Sequence, residues 1–278
     1  MVGDGLYLEG ADKLPAELLP LLFTTWAGVT IPGLPPEDVQ QNSVGESGLP
    51  ALTEGYRLFL LVRDACERYR RHTGRNTVIL DYGCGWGRII RFFLTAHDNR
   101  NVYGVDVSPT MIEYCRSLIG VGQYACISGR PPLNFADGSI DVLYAYSVFS
   151  HLSHPLQDAL VEEFHRIVRP GGFVFLTTRM RSFIDECFAL RKLATLDAYW
   201  TVLAAAFPDP VRAKKRYDSG EFLFLPYPAE ISALGPDYGE AIVPRAYAEG
   251  HWSRYFKLIE FIDDPAQLRQ ACFVLERR

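Results

Sequence analysis

The stretch Val78-Ile-Leu-Asp-Tyr-Gly-Cys-Gly-Trp-Gly-Arg88 decides the fold. Its apolar start reads as a short strand buried on both faces of a parallel sheet. Asp81 closes that run. Gly83, Gly85 and Gly87 then follow at every second position, which predicts a tight turn into a helix starting near Trp86. Glycine lets the backbone bend sharply and approach a ligand where any Cβ would collide. Two nucleotide-binding readings share such a turn, and the spacing of its residues separates them.

Outward from this loop the pattern is regular. Strand Thr77–Asp81 leads to a helix over Trp86–Ala96, and strand Asn101–Val107 to a helix over Pro109–Leu118. Ser108 suits the cap of that helix and Pro109 its first turn. A strand is predicted at Gln123–Ser128, another at Ile140–Tyr146, and a helix from Leu156 to Val168. That helix must stop at Arg169-Pro-Gly-Gly172, where strand Phe173–Thr178 begins. Strands alternating with amphipathic helices imply a parallel sheet covered by helices. Residues 182–206 read as a further helix. Tyr255–Ile262 and Ala271–Glu276 are close enough along the chain for an antiparallel hairpin at the sheet edge.

Before the loop, residues 1–52 are rich in Pro and Gly, with one apolar stretch around Leu18–Trp26 and a predicted loop at Gln40–Gly48. Leu58, Leu61, Val62, Ala65 and Tyr69 recur at helical spacing, with Thr53 as a cap and Gly74 as a stop. These boundaries give an N-terminal cap segment over 1–74 and a catalytic-type domain over 75–278, carrying an insertion at about 182–252.

The 278 residues are 48% hydrophobic with a net charge of −5. Such a balance belongs to a globular chain and argues against a partner held by phosphate neutralisation. The basic run Arg212–Arg216 therefore reads as a solvated helix end rather than a nucleic-acid site. Six scattered cysteines without a CxxC pair imply free thiols in a reducing compartment and no zinc site. No apolar run reaches membrane-spanning length and no leader is visible. The expectation is a cytoplasmic protein.

The order Asp-x-Gly-x-Gly-x-Gly differs from the G-x-G-x-x-G of dinucleotide folds. A carboxylate just ahead of the loop repels a pyrophosphate and attracts a cation. The second strand, Val102-Tyr-Gly-Val-Asp106, ends in an acid able to accept hydrogen bonds from ribose hydroxyls. Two acids around an open glycine turn suit a ribose joined to a cationic amino-acid tail, the form of S-adenosylmethionine. These residues, with Arg169–Gly172 and the loop Pro131–Asp141, resemble the class I S-adenosylmethionine-dependent methyltransferases over about residues 75–180. Tyr146–Leu152, Tyr238-Gly and Trp252-x-x-Tyr-Phe are more loosely similar to a bacterial subgroup that tailors glycans or natural products.

The resemblance implies an α/β, Rossmann-like sheet of seven mostly parallel strands, with an antiparallel C-terminal hairpin and an N-terminal helical cap. It also implies that Gly83, Cys84, Gly85 and Gly87 cradle the methionine portion, with Asp81 near its amino group and Asp106 on the ribose. Val107 and Met111 would flank the adenine, with Arg130 and Pro131 at its edge. Where many members carry an adenine-binding acid after the third strand, this chain has Ser128-Gly129.

In open α/β sheets ligands lie beyond the C-terminal strand ends, so Tyr146, Ser147 and His151 should border the transferred methyl. Removal of a hydroxyl proton suits a histidine, with an unperturbed pKa near ~6.5; His151 is the candidate base, against a structural role beneath the loop. His151 and His154 lack a third ligand for a metal. The irregular segment Leu225–Trp252 reads as a lid or binding loop, with Tyr238, His251 and Trp252 as acceptor-binding candidates beside Tyr227 and Tyr247. The chain has Ser147-Val-Phe-Ser150 where base N-methyltransferases carry Asn/Asp-Pro-Pro-aromatic, and it lacks a catechol-enzyme carboxylate cluster. O-methylation of a small molecule or glycan is the leading expectation. N- or C-methylation, a nicotinamide-dependent reductase, a non-catalytic cofactor-binding protein and a homodimer stay open.

Overall fold

All four residues of Ile79–Tyr82 are buried and form strand β1. The remaining sheet strands are β2 (Val102–Asp106), β3 (Gln123–Cys126), β4 (Ile140–Ala145) and β5 (Val168–Thr178). A short pair follows, β6 (Leu223–Pro226) and β7 (Gly239–Ile242), and then β8 (Phe256–Ile262) and β9 (Ala271–Arg277). The computed structural model describes residues 33–69, 71–232 and 234–278, together with two-residue strands at Thr25–Trp26 and Val29–Thr30. The apolar stretch expected from Leu18 lies outside the described residues as far as Thr24.

Hydrogen bonding orders seven strands as β8-β9-β5-β4-β1-β2-β3. β1 runs parallel to β2 and β4, and β2 runs parallel to β3. β9 is antiparallel to β5 and to β8, as expected of the C-terminal hairpin. All six residues of β4 are buried, the burial expected of a strand inside a parallel sheet.

The helices are α1 (Glu37–Val44), α2 (Gly48–Arg68), α3 (Ile90–Ala96), α4 (Pro109–Tyr114), α5 (His154–Ile167), α6 (Phe183–Ala189), α7 (Ala198–Ala206), α8 (Pro210–Asp218) and α9 (Arg245–His251). The expected loop at Gln40–Gly48 is instead mostly α1 and its exit. Pro36 has an extended ψ before the helix, Glu37 and Asp38 occupy the first turn, and Gly45 ends the helix at φ +77°. Acids near a helix N-terminus and a left-handed glycine after its end both stabilise such a helix. Buried Gln40 stitches the exit, donating to the Pro35 carbonyl at 2.7 Å and accepting from the Gly48 N–H at 2.9 Å.

Thr53 does not cap α2. The helix begins earlier, and the Thr53 hydroxyl donates to the Leu49 carbonyl inside it. The buried stripe Leu52, Leu58, Phe59, Val62 and Ala65 places most of the apolar mass on one face, each large side chain contributing about 1.5–3 kcal/mol. The predicted 182–206 helix is broken into α6, a short 3₁₀ turn at Leu190–Lys192, and α7, whose first turn is capped by Asp197 accepting from the Trp200 N–H. The basic run sits on α8, where Lys214 pairs with Asp185 and Arg216 with Glu221.

Two compact units are formed. Of the described residues, one comprises those up to Gly129 with Ser139–Tyr144 and Asp264–Arg269; the other comprises those in Arg130–Gly138, Ala145–Asp263 and Gln270–Arg278. In the first, Phe59 meets Phe93 edge-on at 5.0 Å, and Phe93 stacks on Tyr144 at 4.8 Å. In the second, Trp252 meets Phe149 and Phe273 edge-on at 6.0 and 5.2 Å. Among the described residues no helix is long and apolar enough to cross a membrane. The six cysteines are free, and of them only Cys126 is exposed.

Candidate active site

The glycine loop is fastened to the end of β2 by its own backbone. The N–H groups of Gly83 and Cys84 both donate to the Val105 carbonyl, at 2.8 and 3.0 Å. The Gly85 N–H donates to one oxygen of Asp106 at 2.9 Å, and the Ser108 N–H to the other at 2.8 Å. A carboxylate has about four lone-pair positions, so acceptor capacity remains on Asp106 beyond the bonds that shape the loop. Ser108 caps α4 as expected, its hydroxyl accepting from the Met111 N–H.

The helix after the loop starts at Ile90, later than expected, because Gly85 and Gly87 hold φ at +52° and +82°. Left-handed residues cannot enter an α-helix. At Gly85 nothing lies within 4 Å of the position a Cβ would take, whereas a Cβ on Gly87 would sit 2.3 Å from the Ile119 Cδ1. Gly87 is thus required by packing, while Gly85 borders open space. Trp86 turns inward, 1% exposed, and donates to the Ser43 hydroxyl in α1 at 3.1 Å.

Asp81 is 1% exposed beneath the loop and accepts a 2.9 Å hydrogen bond from the Tyr144 hydroxyl. Burial pushes its pKa up to about 8, only partly opposed by that bond. A buried carboxyl of this kind gains its charge most readily when a cation is brought near. The Cys84 side chain is buried against Ile112 and Cys115, and its main chain is spent on the loop itself, the N–H on the Val105 carbonyl and the carbonyl on the Gly87 N–H. Val107 is 42% exposed and Met111 half-buried. An open glycine turn, a ribose-type acid and a buried acid beneath them combine space with acceptors in a way that fits S-adenosylmethionine.

In the second unit the segment after β4 is laid beside β7. The Ala241 N–H donates to the Ser150 carbonyl, the Gly239 N–H to the His151 carbonyl and the Ser153 N–H to the Asp237 carbonyl, at 2.8, 2.8 and 2.9 Å. Thr178 at the end of β5 anchors β7 further, its hydroxyl donating to the Ala241 carbonyl and accepting from the Val243 N–H, each at 3.0 Å. Ser147 adopts φ +59°, costly for a residue with a Cβ. Its N–H donates to the Thr177 hydroxyl at 2.7 Å, and its hydroxyl accepts from Gln270 at 2.9 Å.

This ladder fixes His151. Its Nδ1 lies 2.9 Å from the Gly239 carbonyl oxygen, which can only accept, so Nδ1 carries the proton and Nε2 keeps its lone pair. Burial lowers the His151 pKa, against the pull of Glu240. The Tyr238 ring stacks on the imidazole at 5.3 Å. Beneath lies a buried network: Glu240, 2% exposed, accepts from Arg179 Nε and Nη2, one edge of the guanidinium, at 2.5 and 3.0 Å, and from the hydroxyls of Tyr199 and Tyr227. Glu240 and Arg179 were not among the sequence candidates. The available signal is a lone acid inside the apolar run Gly239-Glu-Ala-Ile242, since unpaired charges are almost never buried.

Several candidates sit elsewhere than expected. Arg130 is not free for an adenine edge; it pairs with Asp237 at 2.5 Å, and Asp237 also accepts from Ser153 at 2.6 Å. Pro131 lines an open cavity of about 570 Å³ with Glu163, Arg166 and Arg277. Trp252, 1% exposed, is a core residue and cannot offer a ring to an acceptor. His251 is exposed and lies flat on Tyr247 at 4.1 Å. Tyr146 is buried, 8% exposed.

This fold and glycine loop are those expected of a class I S-adenosylmethionine-dependent methyltransferase domain. Residues 79–172 match the family described as a methyltransferase domain. An uncharacterized methyltransferase of Mycolicibacterium gilvum is 34% identical over 40% of this chain and 44% of its own length. The malonyl-[acyl-carrier protein] O-methyltransferase of Pectobacterium atrosepticum is 31% identical over 48% of this chain and 47% of its own. The chain spans about half the length of the curated relatives it matches. Among solved structures, the magnesium protoporphyrin IX methyltransferase of Synechocystis superposes with a TM-score of 0.53 at 12% identity, over 87% of this chain and 94% of its own. An S-adenosylmethionine-dependent methyltransferase of Mesorhizobium loti gives 0.51 at 15% identity, over 77% and 96%.

Proposed function

We propose that this chain transfers a methyl group from S-adenosylmethionine to a hydroxyl of a small molecule or glycan, with His151 as the general base. The observation that carries the oxygen acceptor is the 2.9 Å contact of His151 Nδ1 with the Gly239 carbonyl. It leaves Nε2 deprotonated, and burial keeps the ring neutral to lower pH than a free imidazole. S-adenosylmethionine supplies an electrophilic methyl on a sulfonium. Nε2 takes the hydroxyl proton while the acceptor oxygen forms its bond to carbon and the carbon–sulfur bond breaks. Asp106 binds the ribose, Gly83 to Gly87 cradle the methionine portion, and Asp81 answers the ammonium. Tyr238, stacked on His151, offers the acceptor an aromatic wall. Similarity to an O-methyltransferase of Pectobacterium atrosepticum supports the same reading.

The test is methyl-labelled S-adenosylmethionine offered with a panel of hydroxylated small molecules and glycans. His151→Ala should lower turnover by about 10²-fold or more while leaving S-adenosylhomocysteine affinity unchanged. The acid limb of the wild-type rate profile should fall below the ordinary histidine pKa of ~6.5, because the folded ring resists protonation. Wild-type turnover in the variant returns His151 to a structural role. Binding without transfer to any acceptor overturns the enzymatic reading.

A further inference from the structure

His154 has no metal partner in His151, but the structure gives it others. His154 and Asp158 are one turn apart at the start of α5, with Nε2 and Oδ2 3.0 Å apart. His251, the last residue of α9, comes in from a distant part of the sequence. Ligand atoms of these three side chains all lie within 4.8 Å of one another. We propose that His154, Asp158 and His251 form a binding site for a divalent first-row transition metal, of which Zn²⁺ is the test case. This site stands apart from the methyl-transfer reading and does not depend on it.

The donor chemistry is specific. Two imidazoles and one carboxylate suit zinc, cobalt, nickel or copper, whereas magnesium and calcium prefer oxygen throughout. In a tetrahedral zinc site, with bonds of about 2.0–2.1 Å, neighbouring ligand atoms stand ~3.3 Å apart. Closing the present cluster takes side-chain rotations of that scale. His154 and Asp158 are free to make them, being 45% and 36% exposed.

The surroundings orient the ligands as metal sites require. The Tyr247 hydroxyl donates to the other oxygen of Asp158 at 3.3 Å, leaving Oδ2 for a metal. The His251 ring lies flat on Tyr247 at 4.1 Å, and His154 stands edge-on to both, at 5.2 Å from Tyr247 and 5.6 Å from His251. One tyrosine thus touches all three ligands. Asp158 and His251 also line an open cavity of about 330 Å³ together with Trp252 and Arg254. The buried Trp252 indole N–H has no hydrogen-bond partner. Three protein ligands beside a cavity leave a fourth metal position for solvent or an anion. A plain helix-surface ion pair between His154 and Asp158 accounts for neither the convergence of His251 nor the Tyr247 contacts.

The experiment titrates the full chain with Co²⁺, read by visible absorption, and with Zn²⁺ in competition with a fluorescent chelator. One ion should bind per chain, without the thiolate charge-transfer band that binding at the exposed Cys126 would add. His251→Ala and His154→Gln should each weaken binding by about 100-fold or more, and Tyr247→Phe by about 10- to 100-fold. Cys126→Ser should leave it unchanged. Circular dichroism checks that each variant is folded, and the three substitutions around the cluster supply independent readings. No saturable binding, or equal affinity in wild type, His251→Ala and His154→Gln, overturns the proposal. Loss of binding in Cys126→Ser does the same.

Discussion

Substituting Gly85 by alanine separates cofactor binding from folding, because the structure gives the two effects different sizes. The backbone at Gly85 has φ +52° and nothing lies within 4 Å of the new Cβ. The folded chain therefore meets left-handed strain alone, about 1–2 kcal/mol. A ligand atom resting against the Gly85 Cα at ordinary contact, about 3.5–4.0 Å, meets the methyl directly. Overpacking of that kind costs about 1–3 kcal/mol, a 5- to 150-fold loss of affinity. Gly87→Ala is the contrast. Its Cβ would press the Ile119 Cδ1 at 2.3 Å and the Cys115 Sγ at 3.2 Å, at φ +82°, so stability should fall further and affinity less. Isothermal calorimetry with S-adenosylhomocysteine and urea unfolding of both variants measure the pair. If Gly85→Ala binds S-adenosylhomocysteine within twofold of wild type while losing the expected stability, the open space over Gly85 does not belong to the cofactor.

Two further outcomes follow from named contacts. Asp106→Ala removes a carboxylate that holds the Gly85 and Ser108 N–H groups, and S-adenosylhomocysteine affinity should drop by about 1–3 kcal/mol from lost charge-assisted bonds; unchanged calorimetric affinity refutes the ribose role. Arg179→Ala leaves Glu240 buried without its cation, which should cost about 3–5 kcal/mol in urea unfolding. A loss under about 1 kcal/mol would mean that Tyr199 and Tyr227 satisfy the carboxylate by themselves.

Much of the first unit is legible along the chain. The first strand, expected at Thr77–Asp81 and found at Ile79–Tyr82, and the cap at Ser108 are local signals, each acting within a few residues. Boundaries failed where one local rule met another. The helix after the loop waits until Ile90 because left-handed glycines precede it, and α1 occupies the expected Gln40–Gly48 loop because its acids and Gly45 outweigh its polarity.

The second unit is another matter. Arg130 lies 107 residues from its partner Asp237, and Arg179 lies 61 from Glu240. Periodicity and spacing carry no information over such separations; only the folded chain brings the groups together. Trp252 and His251 are neighbours in sequence, yet one is core and the other exposed beside His154 and Asp158. The sequence by itself determined the strand–glycine loop–helix unit and the methyl donor it suits, because backbone geometry and side-chain chemistry there are local. The tertiary structure alone decided which nitrogen of His151 keeps its lone pair and which histidines meet. Those facts depend on the Gly239 carbonyl, which folding brings within hydrogen-bond reach of His151, and on α9, which it brings beside the start of α5.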